Sequence, residues 1–368
     1  MFRTIRNFTV SIMAMFISDR EARHAFRNKY KIKSKFRKLR DDNRRMFNDI
    51  QALRGELGAL RVQFRELEED RSFEYRVKPL DINPPKMPDN DVFLAIATVA
   101  KNEGPYLREW IEYHKIVGVD RIYFYDNEST DNTKEILAPY IKDGYVLYHL
   151  LPNHPINRKV PHVEAYNDAI FRYRDNTKWM AILDIDEFVV PVEKDTIPEF
   201  LADYEQYPGV VVNWVCFDSN GHDKKPTAHG GLLTANYTRV RKEHTNNIGG
   251  MGVHKDTTIK SIVNPREVIH YNTEHYALYY RNFKAVTENF EMVSGQITRV
   301  HSSNKIRINH YVTKSKEEYL EKIIRNGKGT SNIYKLHDML LNFQEETTED
   351  LVIQKYVPKL KQVLGVKD

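Results

Sequence analysis

The chain has 368 residues and a net charge of +5, with 22 Tyr and 17 Phe but one cysteine, Cys216. That length admits a large domain with an accessory part, and a lone cysteine excludes an internal disulfide and points to a reducing, cytoplasmic setting. No apolar run approaches the about 18 residues that span a bilayer, and the longest, residues 8–17, holds Thr9 and Ser11 and lacks the small-residue cleavage pattern of a signal peptide.

Phe2, Ile5, Phe8, Ile12, Met15 and Phe16 recur at helical spacing between Arg3, Arg6, Arg20 and Arg23. Such a stripe fits either a helix lying in the headgroup layer of a membrane or a helix packed on its own domain. Residues 20–45 carry about nine more basic than acidic side chains, an attraction for an anionic membrane surface. The run has few interleaved aromatics and no nucleic-acid motif, so no nucleic acid partner is expected.

Ile32, Phe36, Leu39, Asn43, Met46, Ile50, Leu53, Leu57, Leu60, Phe64 and Leu67 then alternate spacings of four and three, the seam of a coiled coil. Asn43 at an a position with Leu prevailing at d is a device for a parallel dimer, so homodimerisation through this stem is expected. Gly55 and Gly58 weaken it by about 1 kcal/mol each. Pro79, Pro84, Pro85 and Pro88 end the helix in a stiff linker.

From Val92 the pattern changes. Strands at 92–100, 121–125 and 145–151 alternate with helices that follow residue 104, that follow Thr130 and that run from 161 to 174, before an apolar run at 179–183. This alternation is that of an α/β sheet, whose ligands sit beyond the carboxyl ends of the strands. Three polar clusters, at 101–103, 126–131 and 184–187, fall on that edge. No Gly-x-Gly-x-x-Gly and no Walker lysine loop is present, which argues against dinucleotide oxidoreductases and P-loop enzymes.

In Asp184-Ile185-Asp186-Glu187 the two aspartates would share one face of an extended chain, and would repel unless a cation sat between them. Oxygen ligands at this spacing suit Mn²⁺ or Mg²⁺ carrying a substrate diphosphate. The three-residue pattern by itself also arises at solvated strand ends and helix caps. Asp126 could accept from a ribose hydroxyl or a base N–H.

Ala97-Thr98-Val99-Ala100-Lys101-Asn102-Glu103, Tyr125-Asp126-Asn127-Glu128-Ser129-Thr130-Asp131, Ala165-Tyr166-Asn167-Asp168 and Asp184-Ile185-Asp186-Glu187-Phe188 resemble the ordered signatures of GT-A glycosyltransferases, in the group related to families 2 and 92. Asn213-Trp214, Ser219-Asn220-Gly221-His222, Lys260-Ser261-Ile262-Val263 and the stretch from His310 through Ser315 to Tyr319 continue the likeness, which covers about residues 93–327. The resemblance implies a GT-A fold, a Rossmann-like mixed sheet with flanking helices, here preceded by the α-helical coiled coil. It also implies a UDP-linked donor, a divalent cation at the Asp-x-Asp, and inverting transfer, with galactose as the associated sugar. Thr98, Lys101, Asn102, Glu103, Asp126, Asn127, His162 and Asp184 are then the donor-binding candidates, and Asp184, Asp186 and His310 the metal candidates. Two departures stand out: His162 where the family has Gln, and Asp218 where it tends to have Gly.

An inverting transfer needs a base near the acceptor hydroxyl. Asp218, His222 and Asp223 follow the apolar stretch at 210–217 and are the candidates, His222 and Asp223 ahead of Asp218, with Glu187 read instead as a cap or a partner for a Lys or Arg. The expected division is an amphipathic segment (1–30), a coiled-coil stem (31–70), a linker (71–91), the catalytic domain (92–330) and a helical tail (331–368). The activity expected is transfer of a hexose to a glycan or lipid-linked acceptor in polysaccharide synthesis, at the inner face of the membrane. The rival readings are a scaffold with a non-catalytic sugar-nucleotide domain, and a nucleotidyltransferase.

Overall fold

The computed structural model describes residues 20–25, 85, 91–152, 161–241, 245–248, 251–254, 257–325 and 346–367. The chain divides into two units, Met1–Arg76 and Val77–Asp368. In the first, residues 20–25 are helical; the apolar stripe before them and the heptad seam at 32–67 lie outside the described residues. No helix among the described residues is long and apolar enough to cross a membrane.

The second unit is built on eight strands: β1 (Val92–Ala100), β2 (Arg121–Asp126), β3 (Val146–Leu150), β4 (Thr177–Ile182), β5 (Glu187–Pro191), β6 (Gly209–Cys216), β7 (Ile259–Val263) and β8 (Ile306–His310). Their order is β3-β2-β1-β4-β7-β6-β8-β5. The first four run parallel, with α1 (Gly104–Ile116), α2 (Thr133–Lys142) and α3 (Pro161–Tyr173) as the returns between them. Beyond β4 the directions are mixed: β7 is antiparallel to β4 and β6, and β8 is parallel to β6 but antiparallel to β5. The α/β class expected from the alternation is therefore present, as a mixed sheet.

Both faces are covered, which explains why the strands read as nearly unbroken apolar runs. Alternate residues point to opposite faces. Leu94 and Ile96 of β1 pack with Leu107, Trp110 and Ile111 of α1, whereas Ala95, Ala97 and Val99 pack with Ala165, Tyr166 and Ala169 of α3. The C-terminal helix α4 (Val357–Leu364) carries Pro358 in its first turn, where no intrahelical N–H is lost, and joins the α1 side through Leu360. It ends at Gly365, whose φ of 70° is the left-handed cap that glycine tolerates best.

His114 lies wholly inside this α1 layer. Its Nδ1–H donates to the Trp110 carbonyl at 2.9 Å, and Nε2 accepts from the Val189 amide at 3.4 Å. Burial pushes its pKa from 6.5 down to about 3. A depressed folded pKa contributes stability above the unfolded value, lost as pH falls towards the folded one. Relative to wild type, His114→Gln should therefore gain up to about 1.4 kcal/mol per pH unit between pH 6 and 4, measured by urea denaturation. A difference that is flat with pH would mean the ring is already charged in the fold.

Candidate active site

The registers Val99 with Tyr125, Ala100 with Asp126 and Ala97 with Ile182 bring the carboxyl ends of β1, β2 and β4 level. On the other half, His310 at the end of β8 stands beside Cys216 at the end of β6 and Glu187 at the start of β5. All these ends meet along one edge, and the three polar clusters lie on it.

Asn102, held at a φ of 58°, ties the first cluster to the second. Its amide donates to Ser129 Oγ at 3.0 Å, and its side-chain oxygen accepts from the Thr130 amide at 2.7 Å. Asp126 is buried, with one oxygen accepting from the Ser129 amide at 2.8 Å and the other from the Tyr148 hydroxyl at 2.6 Å. Asn127 donates to the Leu151 carbonyl at 3.0 Å. These three side chains build the rim. Thr98 is buried in β1 with no hydrogen-bond partner for its hydroxyl among the described residues, Lys101 is exposed just past the strand, and Glu103 lies 3.7 Å from Lys314.

Asp184 and Asp186 do not share the face of an extended strand. Residues 185–186 form a turn, closed by the Glu187 amide donating to the Asp184 carbonyl at 3.1 Å, because β5 must start at Glu187 to pair with β8. The two carboxylates consequently take different partners. Asp184 accepts from Lys260 at 2.9 Å and from the Tyr166 hydroxyl at 3.2 Å. His162 lies near enough to act on its charge, with its ring edge-on to Tyr166. Lys260 is 1% exposed and also lies 3.7 Å from Glu187, itself fully buried. Burial pushes the Lys260 pKa down, but Asp184 and Glu187 outweigh it and the net shift is upward. Glu187 is raised, because burial outweighs Lys260.

Asp186 has a different setting. Lys322, on the helix Lys316–Arg325, donates to one oxygen at 3.0 Å, and His310 Nε2 stands 3.6 Å from the other. Burial pushes this carboxyl up, yet Lys322, His310 and Lys314 together hold it well below the usual range. A separation of 3.6 Å is too long for a hydrogen bond, but within that of two atoms sharing one cation at about 2.1 Å each. The pair therefore fits a divalent ion that keeps water and substrate oxygens in its other positions, and the imidazole favours Mn²⁺ over Mg²⁺. No group of three His, Cys, Asp or Glu side chains able to hold a metal occurs among the described residues. The geometry unites Asp186 with His310 and leaves Asp184 to Lys260.

The base candidates lie on the loop after β6, beside His310. Asp218 is buried, bonds the Ser219 amide, and lines a polar cavity of ≈ 280 Å³ together with Asn220, Arg239, Lys316 and Thr347. The His222 Nε2–H donates to the Asn236 carbonyl at 3.2 Å. Asp223 is 77% exposed and pairs with Lys316 at 2.6 Å.

Sequence reasoning gave Lys260 no role beyond its place in the family likeness and did not single out Lys322. The first was legible, since a lysine inside Ile-Lys-Ser-Ile-Val must meet a buried anion. The second was not, because 136 residues separate Lys322 from Asp186.

The family model of glycosyltransferase family 92 matches residues 91–350. The chain belongs to glycosyltransferase family 92. A family 92 protein of Oryza sativa subsp. japonica is 31% identical over 119 residues, 32% of this chain and 19% of that protein. Galactan beta-1,4-galactosyltransferase GALS3 of Arabidopsis thaliana is 28% identical over 163 residues, 38% of this chain and 32% of that one. The matched segments thus span less than a third of the length of these family 92 and galactosyltransferase relatives. Among solved structures, S. aureus TarS 1–349 in complex with UDP is similar over 36% of this chain and 38% of that chain, at 13% identity and a TM-score of 0.28.

Proposed function

We propose that this family 92 chain is a GT-A glycosyltransferase that moves a hexose, galactose first among candidates, from a UDP-sugar to a glycan acceptor with inversion. The observation that carries the reading is the Asp186–His310 pair at the carboxyl edge of the sheet, open to a cation and ringed by Lys314 and Lys322. Family membership supports the reaction class, and the Arabidopsis galactan beta-1,4-galactosyltransferase supports galactose and a galactan-like acceptor.

Asp186 and His310 would hold the divalent ion, which when bound supplies Lewis-acid neutralisation of the departing diphosphate. Asp184, fixed by Lys260 and Tyr166, shapes the donor side of the rim. The cavity beside Asp218 is the acceptor side. Of the three base candidates, Asp218 alone lines that cavity and is assigned the proton from the acceptor hydroxyl.

The test is a panel of UDP-sugars with Mn²⁺ and β-galactan oligosaccharides, reading UDP release and the anomeric configuration of the product. UDP-galactose should give UDP and an inverted linkage. Release of inorganic diphosphate would instead indicate a nucleotidyltransferase, and tight UDP binding without turnover on any acceptor a scaffold.

A further inference from the structure

We propose that Lys322 is a resident counter-ion of Asp186, which yields its place to a divalent cation and then engages the donor diphosphate. The inference rests on the reading of Asp186 and His310 as the cation ligands.

The two aspartates of the turn are neutralised in unlike ways. Lys260, on Asp184, is 1% exposed, anchored within a central strand, and shared with Glu187. It is a permanent part of the core. Lys322, on Asp186, is 39% exposed while its carboxylate is only 12% exposed. The anion is built in and the cation reaches over it from a helix, on a flexible four-carbon stem. A lysine more than a third exposed can leave such a pair at modest cost, since solvent takes up much of its charge.

Where it would go is set by its neighbours. Glu103 and Asp184 act on Lys322 as well as Asp186, so its ammonium overlooks the acidic groups of the first and third clusters. Lys314 converges on the same place, 3.7 Å from Glu103, and is held at a φ of 54°, a left-handed conformation unusual for a long side chain. Its ammonium and that of Lys225 lie 4.5 and 4.1 Å from the centre of the Tyr106 ring. Lys314 and Lys322 thus both face Asp186, and a divalent ion there would release Lys322 from it. A diphosphate arriving with that ion supplies the anion that Lys322 has lost. Lys322 bonds one oxygen of Asp186 and the cation would take the other, which faces His310, so the two compete for a single negative charge and repel each other across one carboxylate.

The experiment measures Mn²⁺ binding without nucleotide, by electron paramagnetic resonance, and UDP binding at saturating Mn²⁺, by calorimetry, in the full chain. Lys322→Gln should bind Mn²⁺ roughly tenfold more tightly and UDP roughly tenfold more weakly than wild type, towards the low end of ordinary site-to-site coupling. Lys322→Arg, which keeps the charge, should stay near wild type in both. Unchanged or weaker Mn²⁺ binding in Lys322→Gln overturns the competition, and unchanged UDP binding overturns the transfer to diphosphate. Asp186→Asn separates the two levels. If it binds Mn²⁺ like wild type, the cation site itself is misplaced; if it loses Mn²⁺ while Lys322→Gln is unaltered, only the role of Lys322 falls.

Discussion

Asp186→Asn is expected to lower transfer by about 10³-fold, a loss of roughly 4 kcal/mol of transition-state stabilisation, with the fold left intact. Asparagine keeps the size of the side chain and removes the charge. The partner left behind, Lys322, is 39% exposed and turns to solvent, so stability should change by no more than about 1 kcal/mol. Asp184→Asn should behave in the opposite sense. It leaves Lys260 at 1% exposure with Glu187 at 3.7 Å as its remaining close carboxylate, and should cost about 2–3 kcal/mol. Its effect on turnover should be the smaller of the two, because Asp184 shapes the rim while Asp186 faces His310. Turnover with UDP-galactose and Mn²⁺, beside urea denaturation of both variants, checks the split. Equal losses of activity and stability in both would show that the turn acts as one unit and that the aspartates have no separate roles.

The sheet was legible because its strands are covered on both faces. Runs such as Val92 to Ala100 need no partner to declare themselves, and the returning helices carry Trp110 or Tyr166 at the expected phase. The mixed second half was harder, since neither the antiparallel β7 nor the β8–β5 pairing leaves a local mark of its direction. At the site, Asp184 and Asp186 stand out by their crowding, but the extended backbone expected for them is not there. A period of two holds only where the backbone is extended, and here a hydrogen bond from Glu187 to the Asp184 carbonyl folds the pair into a turn. The rim residues Asn102, Asp126 and Asn127 look like ligand groups in sequence, because the side chains that cross-link loops are the same short amides and carboxylates that bind hydroxyls. Which of the two they do depends on where Ser129, Tyr148 and the Leu151 carbonyl stand.

Lys260→Met is expected to destabilise the chain by about 3–5 kcal/mol, the cost of removing one partner of a buried ionic group. Methionine replaces the stem but not the charge, so fully buried Glu187 and its neighbour Asp184 are left facing each other without their cation. The sign of the pH dependence follows. In the wild type Asp184 is held low, with Lys260 opposing the effect of burial, whereas Glu187 is raised, since burial wins despite the lysine. Without Lys260 both carboxyls move upward and the folded variant holds protons that the unfolded chain releases. A raised folded pKa contributes stability below the unfolded value and loses it as pH rises through the folded one. The deficit against wild type should therefore shrink as pH falls from 7 to 5, by up to about 1.4 kcal/mol per unit for each proton taken up. Comparing the two proteins by urea denaturation at each pH cancels distant groups such as His114, which titrate alike in both. A deficit under about 1 kcal/mol, or one that does not vary with pH, would mean that the carboxylates find another counter-charge and that Lys260 is not what holds the turn.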